Sequence, residues 1–231
     1  FEGGGACWDQ KACEGKGDGP LGLSILSGSN PNGVPADYMT NPFNLLNGGL
    51  SGLSLGGLIT PFSMRLHPLQ SVQTQGWNIV YAPYCTGDVH SGNKVTAYTD
   101  ADASKPRVQY HRGSVNGYEM AQWLGKNMKQ PAQLLVTGFS AGGTGGTANY
   151  GWLRLAMNPK KSALLADSGP LFQVNRNDSP EVSPSVHLHN KIRNVWGLDG
   201  KDGLVTKLLT MYPYAGTPDN LGSLSTGIAK I

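Results

Sequence analysis

The chain has 231 residues, enough for one domain with a sizeable core. Charged residues make up only 14%, well below the usual share, and Gly, Ser, Asn and Thr are abundant, which describes a neutral, hydrogen-bonding surface in keeping with secretion. A net charge of +3 with scattered Lys and Arg argues against a nucleic-acid partner, and no apolar run reaches the length of a membrane span.

The first informative stretch is Phe1-Glu2-Gly3-Gly4-Gly5-Ala6-Cys7-Trp8. Three consecutive glycines let the backbone approach another group closely and turn several N–H groups to one side. Its competing reading is an ordinary glycine-rich turn. Cys7 and Cys13 lie close enough to bridge, leaving Cys85 over; the alternative is three buried thiols. Residues 16–60 are dense in Gly, Pro, Asn and Ser, with only a weak strand pattern over Leu50–Ile59, and are expected to cover part of a site.

Trp77–Pro83 reads as a strand. It leads into Tyr84-Cys85-Thr86-Gly87-Asp88-Val89-His90, where Asp88 and His90 are candidate substrate-binding residues because loops at the carboxyl ends of strands line the crevice of an open α/β sheet. The alternative is a turn-capping Asp88 and a solvated His90. Arg107–Arg112 predicts a short strand. An amphipathic helix follows from about Asn116, with Met120, Trp123, Leu124 and Met128 facing the core and Pro131 ending it. Strand, crossover helix and the next strand at Leu134–Val136 predict parallel pairing.

That strand enters Gly138-Phe139-Ser140-Ala141-Gly142, followed by helical spacing at Ala148, Trp152 and Leu155. Strand, sharp Gly-x-Ser-x-Gly turn and helix together form a nucleophile elbow, which marks Ser140 as the nucleophile. The pentapeptide alone decides nothing, because 33 glycines make chance matches credible and Gly52-Leu53-Ser54-Leu55-Gly56 is a second one. Gly57 and Pro61 deny that copy a following helix. Ser162–Ala166 predicts another buried strand, ending at Asp167-Ser168-Gly169. A polar loop over Asn175–Ser185 and helices at Lys191–Trp196 and Val205–Tyr212 complete the pattern.

Five motifs in order, Phe-Glu-Gly-Gly-Gly-Ala-Cys-Trp-Asp at 1–9, Tyr-Cys-Thr-Gly-Asp at 84–88, Arg112-Gly113, Gly-Phe-Ser-Ala-Gly-Gly at 138–143 and Asp-Ser-Gly at 167–169, resemble the pectin acetylesterase family with its Notum-like carboxylesterases. The resemblance implies a secreted α/β-hydrolase-type serine esterase: a mostly parallel sheet with helices on both faces, no cofactor, no metal, and an ester-bearing substrate such as an acetylated glycan. It implies Ser140 as nucleophile and an oxyanion hole from the N–H groups of Gly4, Gly5 and Ala141. Gly5 stands where members often carry an aromatic residue.

In the family the triad acid and base come well after the Asp-Ser-Gly segment. The chain is therefore expected to be one α/β-hydrolase-like domain, 1–231, that is an internal piece lacking the start and the C-terminal strands. Within it, Asp167, His187 and His189 are the in-chain alternatives for acid and base. On an extended segment His187 and His189 would face the same way, a metal-like pattern without a third ligand. Two rival readings are an esterase acting on a polyester or lipidated substrate and a non-catalytic carbohydrate-binding module using Trp8, Tyr38 and Trp196.

Overall fold

A computed structural model describes residues 1–14, 73–169 and 173–230. The expected cover over 16–60, the weak strand at Leu50–Ile59, Tyr38 and the second serine pentapeptide lie outside the described residues. After the N-terminal arm, a four-residue helix α1 (Gln10–Cys13) is capped by the Asp9 carboxylate, which accepts from Ala12 N at 2.9 Å. Cys7 and Cys13 form a disulfide across it, and Cys85 remains a half-buried free thiol.

A 3₁₀ turn at Gln73–Gly76 precedes residues 77–85. Among the described residues the strand predicted at Trp77–Pro83 is not formed as a ladder, although Glu2 N donates to Ala82 O at 3.0 Å. Next comes a hairpin, β1 (Lys94–Tyr98) antiparallel to β2 (Arg107–His111), in register from Lys94↔His111 to Tyr98↔Arg107. The Gln10 side chain pins its tip by accepting from Asp102 N at 2.8 Å and donating to Lys105 O at 2.8 Å.

Helix α2 (Gly113–Asn127) starts three residues before the expected Asn116. Its core-facing side is made of Gly117, Ala121 and Leu124, with Met120 and Met128 at the margin. Trp123, expected inward, is 60% exposed. The reason is close helix packing, since the space beside Gly117 and Gly125 is filled by Asn149 and Ala156 of the following helix. The small residues therefore define the buried stripe and the large aromatic falls outside it.

Strand β3 (Gln133–Phe139) pairs in parallel with β4 (Lys161–Asp167), from Gln133↔Lys161 to Phe139↔Asp167. Between them runs α3 (Ala141–Met157), closed by Asn158 in the left-handed conformation. Ala148 and Trp152 are buried as expected, whereas Leu155 is 64% exposed because it lies on the outward face of the last turn, whose Met157 stays in the core. One face of β4 is also more open than a buried strand predicts, with Leu165 exposed and Leu164 against the core.

Three helices follow: α4 (Val186–Trp196), α5 (Leu204–Met211) and an unforeseen α6 (Leu221–Ile228), whose Asn220 caps it by accepting from Ser223 N. A single cluster joins α2, β3, α3 and these helices through Leu124, Val136, Trp152, Trp196, Leu208 and Leu224. The architecture is mixed α/β. Its sheets correct the expected crossover: among the described residues β2 and β3 belong to separate two-stranded sheets, one antiparallel and one parallel. The sequence periods located β2, β3 and β4 but missed β1, and the partner of each depends on long-range contacts that local pattern does not encode.

Candidate active site

Ser140 sits at the junction of β3 and α3 with φ 56° and ψ −121°. An L-residue rarely adopts this conformation, and holding it costs on the order of 1–3 kcal/mol, so the surroundings must over-determine it. They do so through backbone. Ser140 N donates to Asp167 O at 2.8 Å, while Gly143 N and Thr144 N donate to Ser140 O at 2.9 and 3.2 Å. A methyl on Gly138 would lie 2.2 Å from Gly142 O, and one on Gly169 would lie 2.4 Å from Ser140 O. The glycines of the turn are thus required by close approach as well as by the turn itself.

The N-terminal arm crosses this elbow directly. A Cβ on Gly142 would stand 2.2 Å from Phe1 O, and one on Gly3 would stand 2.6 Å from Phe139 O. Gly4 and Gly5 continue the arm with φ 143° and 74°, backbone that only glycine takes readily. Among the described residues, no acceptor takes the N–H of Gly4 or Gly5. Ala141, as the first residue of α3, likewise has no intrahelical acceptor for its N–H. The two glycine clusters singled out in the sequence are brought together, and each leaves N–H groups unspent.

Asp88 and His90 are brought to this region but face inward. Asp88 is 0% exposed and accepts from Thr86 Oγ1 at 2.5 Å, Gly92 N at 3.0 Å and Gly113 N at 2.8 Å. Burial raises its carboxyl above the ordinary range, and these donors partly offset that. The bond to Gly113 N ties the loop to the start of α2, where the helix dipole favours a carboxylate. A side chain at Gly92 or Gly113 would strike this carboxylate at 2.4 Å, which accounts physically for the Arg112-Gly113 motif.

His90 is buried between the arm and α3. Its Nε2–H donates to Glu2 O at 2.9 Å, its ring lies 4.5 Å from that of Tyr84, and Gly145 of α3 leaves the space it occupies. Its backbone carbonyl accepts from Asn149 Nδ2 at 3.0 Å. Burial lowers its pKa to about 4, so the ring is neutral near pH 7. The buried Glu2 carboxylate accepts from Tyr84 N at 2.6 Å, and Tyr84 Oη in turn accepts from Val89 N at 2.7 Å. Glu2, Tyr84 and Asn149 were not singled out from sequence. Asn149 could have been, as a polar residue inside a run of small and apolar ones.

Asp167 carries its carboxylate outward, accepting from Ser168 Oγ at 2.8 Å, and it is the Asp167 main-chain carbonyl that holds Ser140. His187 and His189 lie on α4 rather than on an extended segment, so two residues apart they diverge around the helix, and the shared-face reading is corrected. Among the described residues no side chain hydrogen-bonds the Ser140 hydroxyl. Cys7, Cys13 and His111 are close enough to frame a cation, yet the two sulfurs are joined to each other. His111 is also committed on both nitrogens, to Thr86 O and the Tyr98 hydroxyl. Trp196 is buried with its Nε1–H on Cys7 O, and Trp8 packs on the core, so neither is the exposed platform that a sugar-binding module would need. No described helix is long and apolar enough to cross a membrane.

Compared with known proteins, residues 70–202 match the family model described as Pectinacetylesterase. The matched span runs from the 3₁₀ turn through the 84–92 loop, the elbow and α4. No curated protein and no solved structure matches the chain.

Proposed function

The chain belongs to the pectinacetylesterase family, and from that premise we propose that it is a serine carboxylester hydrolase that removes acetyl groups from a polysaccharide. The observation that carries the serine mechanism is the backbone of Ser140, held at φ 56° and ψ −121° between a parallel strand and a helix start. Strain of this kind aims a side chain out of the turn, and it is retained where it serves chemistry.

In this reading Ser140 Oγ attacks the ester carbonyl carbon as a general base removes its proton. The carbonyl electrons move onto oxygen, and the resulting negative charge is met by the N–H groups of Gly4, Gly5 and Ala141. The tetrahedral species collapses, the sugar oxygen leaves with the proton, and water repeats the sequence on the acetyl-enzyme. Each oxyanion donor contributes on the order of 3 kcal/mol in the transition state. Ala141 adds the favourable end of the α3 dipole. Asp88 and His90 fit a supporting role, fixing the arm and α2 around the elbow, better than direct contact with substrate. The Cys7–Cys13 disulfide supports an oxidising, extracytoplasmic setting.

The test is a fluorophosphonate probe combined with p-nitrophenyl acetate turnover. The wild-type protein is expected to label and turn over, and Ser140→Ala to lose both. Labelling or turnover that survives in Ser140→Ala would remove Ser140 as nucleophile. Absence of labelling in the wild type would favour a non-catalytic glycan-binding role.

A further inference from the structure

Glu2 carries a buried carboxylate to which the acyl-transfer steps give no part, and it stands directly before the Gly3–Gly5 run. It is 1% exposed, and three of its groups are tied to the 82–90 segment. Its N–H donates to Ala82 O at 3.0 Å, its carbonyl oxygen accepts from His90 Nε2 at 2.9 Å, and its side-chain Oε2 accepts from Tyr84 N at 2.6 Å. That segment is itself fixed. Tyr84 is fully buried with Oη accepting from Val89 N at 2.7 Å, and the His90 carbonyl accepts from Asn149 Nδ2 of α3 at 3.0 Å.

The far end of the arm returns to the same segment. Cys7 N donates to Gly87 O at 2.8 Å, and Cys7 is further secured by its bridge to Cys13 and by the Trp196 Nε1–H on its carbonyl at 2.8 Å. Gly3–Gly5 thus span two anchors on one segment, with φ of 143° at Gly4 and 74° at Gly5. A glycine run has little stiffness of its own, so the direction of its N–H groups is set by where its ends are fixed. One end is covalently secured, and the other depends on the hydrogen bonds of Glu2. Burying a carboxylate is costly, and an amide side chain of the same length would reach Tyr84 N with less to desolvate. The charged acceptor makes the shorter and stronger bond, which suits a role that needs the arm held in one place.

We propose that Glu2 is a positioning residue for acyl transfer: its carboxylate, fastened to Tyr84 N, fixes the Gly4 and Gly5 N–H groups where the oxyanion develops. The inference rests on the oxyanion role proposed for those glycines. Glu2 acts through the arm, and no proton or electron pair passes through it. A misplaced donor costs rate in the transition state while leaving the bound ester largely unaffected. The signature is therefore a fall in kcat with KM little changed.

Three substitutions, assayed with p-nitrophenyl acetate per molecule of folded protein, separate the acceptor from the charge. Glu2→Leu removes the acceptor and is expected to lower kcat on the order of a hundredfold, with KM within about threefold. Glu2→Gln keeps an acceptor for Tyr84 N and is expected to bring kcat back to within about fivefold of wild type. Glu2→Asp keeps the charge but withdraws it by one methylene, for a loss of about tenfold in kcat, and it decides the matter if Glu2→Leu does not fold. Amide exchange followed by NMR reads the arm without turnover. Protection of the residue 2 N–H is expected to be lost in Glu2→Leu and kept in Glu2→Gln, with the Cys7 N–H protected in both. Wild-type kcat in folded Glu2→Leu or in Glu2→Asp would overturn the assignment, as would a loss confined to KM. Glu2→Gln as slow as Glu2→Leu, or unchanged protection at residue 2 in Glu2→Leu, would do the same. A wild-type protein that neither labels with fluorophosphonate nor turns over would overturn the esterase reading, and the exchange pattern would still decide whether Glu2 holds the arm.

Discussion

Gly142 shows how little tolerance the elbow has at the scale of one residue. Its missing side chain is replaced by the Phe1 carbonyl, 2.2 Å from where a Cβ would be, with Glu2 C at 2.9 Å behind it. Both obstacles are backbone, so no rotamer change relieves the clash. Gly142→Ala is expected to push the arm off the elbow, costing about 1–3 kcal/mol of stability and, on the proposed oxyanion role of the arm, on the order of a hundredfold in turnover. Chemical denaturation and p-nitrophenyl acetate kinetics on the variant check both; wild-type kinetics would detach the arm from the chemistry. Ser140 itself was legible in sequence because strand, glycines and helix lie within one short window. Asp88 and His90 were singled out in sequence as candidate substrate-binding residues, and the structure places them beside the arm and α2. Their inward direction was not, since it follows from the partners Gly92, Gly113 and Glu2, which pattern alone does not bring together.

Between elements, the contact that positions the helix after Ser140 is α2 against α3. Gly117 admits the side chain of Asn149, whose Nδ2 donates to His90 O at 3.0 Å and Gly145 O at 2.9 Å. Two carbonyl acceptors fix which end of the amide points there. A methyl at Gly117 would sit 1.9 Å from Asn149 Oδ1. Gly117→Ala gains helix propensity of about 1 kcal/mol but is expected to be net destabilising by about 1–3 kcal/mol, because it expels a buried, hydrogen-bonded amide. A stabilised variant in thermal unfolding would contradict that packing. The helix itself was readable from its period, while its buried face was misread because Trp123 outweighs Gly117 in any hydrophobicity pattern. Tertiary packing favoured the smaller residues.

Across the whole molecule, buried histidines couple the fold to pH. Burial lowers His90 and His111 to about 4, from an ordinary value of 6.5. The folded state therefore binds fewer protons than the unfolded chain between those values. Their stabilising contribution is full above pH 6.5 and is lost as pH falls toward 4, on the order of 3 kcal/mol for each. Asp88 works in the opposite sense, since its raised carboxyl costs stability as pH climbs above its unfolded value of 3.8. Two imidazoles act against one carboxyl, and the melting temperature is expected to fall as pH is lowered from 6.5 toward 4. A flat profile there would show that neither imidazole is held neutral. At this scale the mixed α/β class was legible from alternating periods, but the division into two small sheets was not, because strand partners are chosen by contacts far apart in sequence.

The bond from the Phe1 amino group to Thr137 O spans 136 residues. The β3–α3–β4 unit, by contrast, closes within 35 positions of the chain, from Gln133 to Asp167. Contacts of short separation form sooner than those that must first close a long loop. The strained serine turn can consequently take shape early in folding, whereas the Gly3–Gly5 arm docks against it only once that long loop has closed. Completion of the Ser140 elbow is in that sense a late event in folding, separated in time from the formation of the turn itself.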